Sequence, residues 1–306
     1  MKLIPSLLAA GCLVATASMS LGQVTLYSMG KVGFWTQAAD NVLPPAAYTW
    51  GAYGAVYVTA LTDATTASAQ FSGGGNPFLF QPVGSGFPYF TGFGGYFDTQ
   101  GLLDAAFPQG SYTFTVSGGT LGTQSDSLTF SNALYPPAQP RLTGNTFSHM
   151  AELDPRVDFV GTINSFVPSP LATESVTSIG IYRRSGQGPS FYAQLSPSTT
   201  TFTIPADTLR TGRPYIFVLS FTSTRVTRGF GNAQAAVGAG YTTQFVFDVG
   251  CPADFNQDFQ VDFFDYLDFV VAFDAQDPEA DFNGDAQFDF FDYLDFVFAY
   301  DRPCDL

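Results

Sequence analysis

Pro214–Phe221 reads PYIFVLSF and Tyr241–Asp248 reads YTTQFVFD. In both, aromatic and aliphatic side chains recur at every second position, the period of an extended chain with one face buried. The same rhythm returns upstream in Ala55–Thr59 (AVYVT), Ser111–Val116 (SYTFTV), Asp126–Phe130 (DSLTF) and Val176–Tyr182 (VTSIGIY). Glycine-rich turns punctuate these segments: Gly73-Gly74-Gly75-Asn76, Ser117-Gly118-Gly119 and Ser185-Gly186-Gln187-Gly188. No amphipathic helix is evident before residue 250, so residues 23–249 are expected to be mainly β, in sandwich architecture. About 225 residues is large for one sandwich and comfortable for two. The cluster Pro136-Pro137-Ala138-Gln139-Pro140 offers a linker, which gives β-sandwich domains at 23–138 and 139–249.

Ahead of this body stand Lys2, an apolar run from Leu3 to Ala17 and small residues up to Gly22. That order describes a secretory signal peptide over residues 1–22. The run is shorter than the roughly 20 apolar residues of a membrane span. Cleavage follows Ala17 or Gly22, with Gln23 the favoured mature start. The expected location is extracellular or at the cell surface. Cys12 leaves with the signal, and the remaining pair, Cys251 and Cys304, brackets one segment. In an oxidising compartment such a pair reads as a disulfide, contributing on the order of 4 kcal/mol. Two free thiols serving a metal or a nucleophile are the alternative, and no histidine stands near them.

Charge is concentrated in the same segment. The chain has 26 acidic and 11 basic residues, and from Cys251 onward there are 15 acids against the single base Arg302. Nucleic-acid binding needs Lys and Arg to neutralise phosphates, so this segment is excluded from that role. A divalent cation suits it.

The segment is a duplication. Asp254–Asp274 reads DFNQDFQVDFFDYLDFVVAFD and Asp281–Asp301 reads DFNGDAQFDFFDYLDFVFAYD, offset by 27 residues. Each copy opens with a loop of about twelve residues carrying oxygen side chains at positions 1, 3, 5, 9 and 12. These are Asp254, Asn256, Asp258, Asp262 and Asp265 in the first, and Asp281, Asn283, Asp285, Asp289 and Asp292 in the second. Calcium takes six to eight hard oxygen ligands, and this periodicity wraps them about one point. Position 7 adds a backbone carbonyl, from Gln260 and Gln287. Position 9 often acts through water, so Asp262 and Asp289 are the less direct ligands. The expected cofactor is Ca²⁺ at two sites. Phe264, Leu267 and Val271, and likewise Phe291, Leu294 and Phe298, then follow helical spacing.

A calcium loop feeding one helix, in tandem, resembles the repeats of type I dockerins, over about 50 residues at 250–306. The resemblance implies a small helical module that docks onto a cohesin-like or other cell-envelope protein. It also places partner contacts at the loop–helix junctions, here Phe263, Phe264, Phe290 and Phe291. Two positions depart from the pattern. Loop position 6, usually glycine because the backbone there favours φ > 0, is Phe259 in the first copy and Ala286 in the second. The second site is therefore expected to be the tighter. In the body, Thr201–Tyr215 weakly resembles the turn-then-strand entry of immunoglobulin or fibronectin type III domains.

Chemistry in the body has few candidates. The one histidine, His149, has no nucleophile elbow or metal motif beside it. Glu152, Asp154 and Asp158 could supply the carboxylate pair of a glycoside hydrolase, but Leu153-Asp154-Pro155 reads more simply as a turn before a strand at Val157–Ile163. Phe87–Phe97 (FPYFTGFGGYF) with Trp35 and Trp50 could offer aromatic platforms to polysaccharide, or could be core. The favoured reading is a non-enzymatic exported protein with a display or adhesion body; the alternative is a protein that binds or cleaves polysaccharide.

Overall fold

The computed structural model describes residues 23–43, 47, 49–60, 62–83, 89–150, 153–183, 188–210, 213–251, 253–256, 258, 260–283, 285 and 287–301. The two opening stretches belong to its longest strands, β12 (Arg213–Gly229) and β13 (Ala233–Val249), a hairpin in register from Arg213↔Val249 to Gly229↔Ala233. At its tip Phe230 and Gly231 take φ of 43° and 79°. Glycine adopts this freely, whereas a side chain costs about 1–2 kcal/mol. Phe230 is held there: its N–H donates to Asp126 Oδ2 at 2.5 Å, and its ring packs edge-on against Tyr27 at 4.8 Å.

The other strands are β1 (Val24–Thr36), β2 (Thr49–Val58), β3 (Thr66–Phe71), β4 (Phe78–Pro82), β5 (Tyr89–Phe97), β6 (Gly110–Ser117), β7 (Gln124–Phe130), β8 (Phe159–Thr162), β9 (Glu174–Arg183), β10 (Pro189–Leu195) and β11 (Thr201–Ile204). Eleven of the strands form one sheet, in the order β10-β9-β12-β13-β1-β2-β5-β4-β3-β6-β7. β8 and β11 form a separate pair. Within the large sheet β1 and β13 run parallel, from Leu26↔Gln234 to Thr36↔Gln244; the other pairings are antiparallel. The sheet curls, so that Asp126 on its edge strand β7 returns to the tip of the β12–β13 hairpin. The body is mainly β, as its alternating segments imply.

Two main cores result. The first gathers Tyr27, Met29, Val56, Phe80, Phe90, Phe114, Phe130 and Leu134 with the 233–239 end of β13. The second gathers Leu142, Met150, Ile163, Ile179, Ile181, Phe202, Phe217, Leu219 and Phe221 with Phe245, Phe247 and Val249 from the other end of β13. One strand, β13, thus serves both cores, and β1 pairs alongside it. Trp35, Trp50, Ala52 and Leu103 form a smaller cluster. There Gly33, paired with Trp50, leaves room for the rings: a Cβ on it would lie 2.8 Å from Trp50 and 2.9 Å from Trp35.

Two short helices interrupt the body, α1 (Gln100–Ala106) and α2 (Thr146–Met150). Thr99 caps α1 by accepting from the Leu102 N–H, and Leu103 is its buried residue. One buried position in seven residues leaves no periodic signal, which is why the sequence reading expects no helix there. The strand expected over Val157–Ile163 is shorter, as β8, with Ile163 bridged to Leu142.

After β13 the chain turns at Gly250 (φ 62°), and Cys251 and Ala253 are buried. The duplicated segment then folds as α3 (Phe263–Asp274) and α4 (Phe290–Tyr300). It is seated on the body by Arg213, whose guanidinium lies over the Phe255 ring at 5.7 Å and 3.9 Å from Glu279. Arg210 pairs with the same Glu279. Burial, with Arg183 close by, pushes the Arg213 guanidinium down to about 10. Among the described residues no helix is long and apolar enough to cross a membrane.

Candidate metal centre

Each loop is wound on its own carboxylates. In the first, the Asp258 N–H donates to Asp254 Oδ1 (3.0 Å) and Asn256 Oδ1 (2.9 Å), and the Gln260 N–H to Asp258 Oδ1 (2.8 Å). Asp265 accepts from Asn256 N–H at 3.0 Å on one oxygen and from Asp262 N–H at 2.8 Å on the other. The second loop repeats this. Asp285 N–H donates to Asp281 (3.1 Å) and Asn283 (3.0 Å), Gln287 N–H to Asp285 (2.9 Å), and Asn283 and Asp289 N–H groups to Asp292 (3.2 and 3.0 Å). Loop and helix share residues: Asp262 and Asp289 are N-caps, and Asp265 and Asp292 complete capping boxes. Positions 9 and 12 of each loop thereby start the helix that follows.

The donors are hard oxygens, the kind calcium prefers. Burial supplies the test of fit. Asp254, Asp265 and Asp292 are fully buried and Asp281 nearly so. The hydrogen bonds that reach Asp265 and Asp292 come from backbone N–H groups. Carboxylates withdrawn from water are costly unless opposite charge answers them. The residues fit a calcium ion. Among the described residues no three His, Cys, Asp or Glu side chains gather as a metal cage by themselves. A site here would draw also on Asn256 or Asn283 and on the carbonyls of Gln260 or Gln287. Position 6 of each loop, Phe259 and Ala286, lies outside the described residues, as does Cys304.

The two repeats pack about a pseudo-twofold axis. Phe269 and Phe296, both fully buried, stack with centroids 4.0 Å apart and planes 5° from parallel. Phe255 meets Phe269 edge-on at 5.4 Å, and its counterpart Phe282 meets Phe296 at 5.6 Å. The Tyr266 and Tyr293 hydroxyls touch at 3.1 Å across the axis. Sequence reasoning expects some of Phe263, Phe264, Phe290 and Phe291 to fill this core. Instead all four are exposed, at 62–64%. Leu267, Val271, Leu294 and Phe298, which share helical spacing with them, also face solvent. Both helices are apolar on two sides, so spacing could not say which side is inside. The aromatic partners Phe255 and Phe282, at loop position 2, decide it by closing over Phe269 and Phe296.

The body's candidates do not assemble. Trp35 and Trp50 are buried against each other (5.6 Å, edge-on) and against Tyr241, so they are core and not sugar platforms. Phe93 and Tyr96 of the same aromatic stretch are exposed, while Phe87 lies outside the described residues. Asp154 is held by Arg156 through two hydrogen bonds of 3.0 and 3.1 Å, which keep its carboxyl below the usual range. Asp158 accepts from the Ala206 N–H, and Glu152 lies outside the described residues. His149 is exposed at the end of α2. Arg213, the residue that seats the tail, carries no sequence signal beyond its place at the head of a strand.

No protein-family model matches the chain, and no curated protein matches it significantly. Among solved structures it is similar to the chicken CNTN1 FN1–FN3 domains, at 7% identity over 75% of this chain and 67% of that one, with a TM-score of 0.19. It is similar also to the human OSCAR ligand-binding domain, at 13% identity over 74% of this chain and 99% of that one, with a TM-score of 0.22. Overlap of this degree carries no argument about function.

Proposed function

We propose that residues 250–306 form a dockerin-like module, ordered by two calcium ions, that attaches an exported β-sandwich body to a protein of the cell envelope. The observation that carries this reading is the pairing of two matched, carboxylate-wound loops with four exposed phenylalanines at the loop–helix junctions. Bound calcium would supply positive charge to the buried carboxylates. The chain's own residues do the rest: Asp265 and Asp292 tie loop to helix, and Phe269 and Phe296 hold the repeats together. Phe263, Phe264, Phe290 and Phe291 present apolar surface, the kind that anchors interfaces. In this reading residues 1–22 direct export, Cys251 pairs with Cys304 to close the module, and the body is two immunoglobulin-like sandwiches that share β13, used for display or adhesion, not catalysis.

The test uses the full mature chain carrying Phe263→Asp and Phe290→Asp together. Calcium binding by calorimetry should be unchanged, and retention on envelope preparations containing calcium should be lost. Retention equal to the parent's would end the docking role, while absence of any calcium heat in the parent would end the metal role.

A further inference from the structure

The first core holds a charged group that no part of the proposed function uses. Lys31, on β1, is fully buried between Ala52 and Ala239 of the flanking strands. Its Nζ donates to Asp104 Oδ1 at 2.6 Å and to Asn132 Oδ1 at 3.4 Å, and lies 4.4 Å from the centroid of the Phe130 ring. The Asn132 Nδ2 in turn donates to the other Asp104 oxygen at 2.9 Å. One carboxylate thus bridges an amine and a carboxamide, and the amine also touches that carboxamide.

We propose that Lys31 and Asn132 become joined by an intramolecular amide bond, with Asp104 carrying the proton. An ion pair alone requires only Lys31 and Asp104. The third member makes the arrangement reactive: nucleophile, acyl group and proton carrier are mutually hydrogen-bonded beside an aromatic ring. In the step, the Lys31 ammonium gives a proton to Asp104 Oδ1, and the neutral Nζ attacks Asn132 Cγ. The carboxamide C–N bond breaks, its nitrogen taking the proton from Asp104, and ammonia leaves. The second Nζ proton is shed through the carboxylate as the amide forms. The balance is one lysine ammonium and one asparagine carboxamide giving one secondary amide and one ammonium ion, with no oxidant or reductant.

Three physical conditions favour the step. Desolvation lowers the Lys31 pKa, Asp104 opposing it, so the amine gives up its proton more readily than an exposed lysine. Fixing nucleophile and acyl group in one site replaces a bimolecular encounter by a positioned one. Asp104 and Asn132 are only partly buried, so ammonia has a way out. The bond would span 101 residues, tying β1 to the segment that follows β7. That would clamp the first and last strands of the first core.

The experiment is peptide mapping of the folded full-length mature protein by mass spectrometry. The expected result is a branched peptide linking Lys31 to Asn132, lighter than its parts by one ammonia, with trypsin failing to cut at Lys31. Intact mass is compared with that of Asp104→Ala, because cyclisation of Gln23 also releases ammonia and shifts both proteins alike. Once the mass change of the substitution itself is subtracted, the variant should be one ammonia heavier than the parent. Lys31→Met, which keeps the buried stem and removes the nucleophile, serves if Asp104→Ala does not fold. Separate, unlinked Lys31 and Asn132 peptides from the folded parent would overturn the proposal. So would a branch from Lys31 to Asp104 with loss of water, which makes Asp104 the acyl group.

Discussion

Among the described residues, two sites of buried charge, the tail loops and the Lys31 site, are built in opposite ways. In the tail every charged side chain of a loop comes from one short run, and Asp258 donates its N–H to a carboxylate only four residues away. In the body Lys31 reaches Asp104 across 73 residues and Asn132 across 101. The tail's loop carboxylates accept from backbone N–H groups close in sequence and, in the proposed reading, would hold a bound ion; the body's carboxylate has its lysine within the fold. On the proposed reading, the difference separates a site whose order depends on solution conditions from one whose order comes from chain topology.

Removing calcium should expose that contrast most strongly. At a hundredfold excess over Kd each ion contributes about 2.7 kcal/mol to the state that binds it, so two ions account for about 5 kcal/mol in the tail. With chelator, hydrogen exchange of the full chain should lose protection across 263–274 and 290–300 while the β12–β13 amides keep theirs. Loss of protection in both places together would mean that the tail and body are one cooperative unit and that the contrast is false.

A smaller effect tests what holds the tail once it is charged. Phe296→Ala removes one ring of the central stack and should cost the tail about 3–5 kcal/mol, read as a lower denaturant midpoint for its helices. Phe269→Ala should cost the same, because each ring has the same neighbours through the pseudo-twofold. Phe298→Ala, at an exposed position, should change stability by no more than about 0.5 kcal/mol. Unequal losses at 269 and 296 would show that the body, which touches Phe255 through Arg213, supports one repeat more than the other.

The same contrast explains what could be read in advance. The loop residues from Asp254 to Asp265 and from Asp281 to Asp292 were legible because their partners are neighbours in sequence. β12 and β13 were legible in part, since their outer halves alternate; their inner ends, and the whole of β1, were not. β1 is buried without interruption from Met29 to Trp35, having strands on both sides and cover on both faces, so no period of two survives in it. Its parallel pairing with β13 joins the two ends of the body, a decision of topology that no local pattern records. Lys31 reads as one base in a near-neutral body until Asp104 and Asn132 arrive beside it. Trp35 and Trp50 look alike as core or as sugar platform, and only the Tyr241 ring closing over them decides.

The finest comparison is between the two loops themselves. Their described hydrogen bonds match closely, so a difference in affinity must come from residues that differ, chiefly Phe259 against Ala286 at position 6. A left-handed backbone there costs any residue with a Cβ about 1–2 kcal/mol, and a bulky ring is accommodated less readily than a methyl group. The second loop should therefore bind calcium more tightly than the first. Phe259→Gly should raise the first loop's affinity by about tenfold, which corresponds to about 1.4 kcal/mol, and bring it level with the second or beyond. Calorimetry resolving two unequal sites in the parent and a tightened weaker site in the variant is the expected result. Two equal sites in the parent, unmoved by the substitution, would show that position 6 is not left-handed in this loop, and that the missing glycine is a change in the backbone path and not a strain upon it.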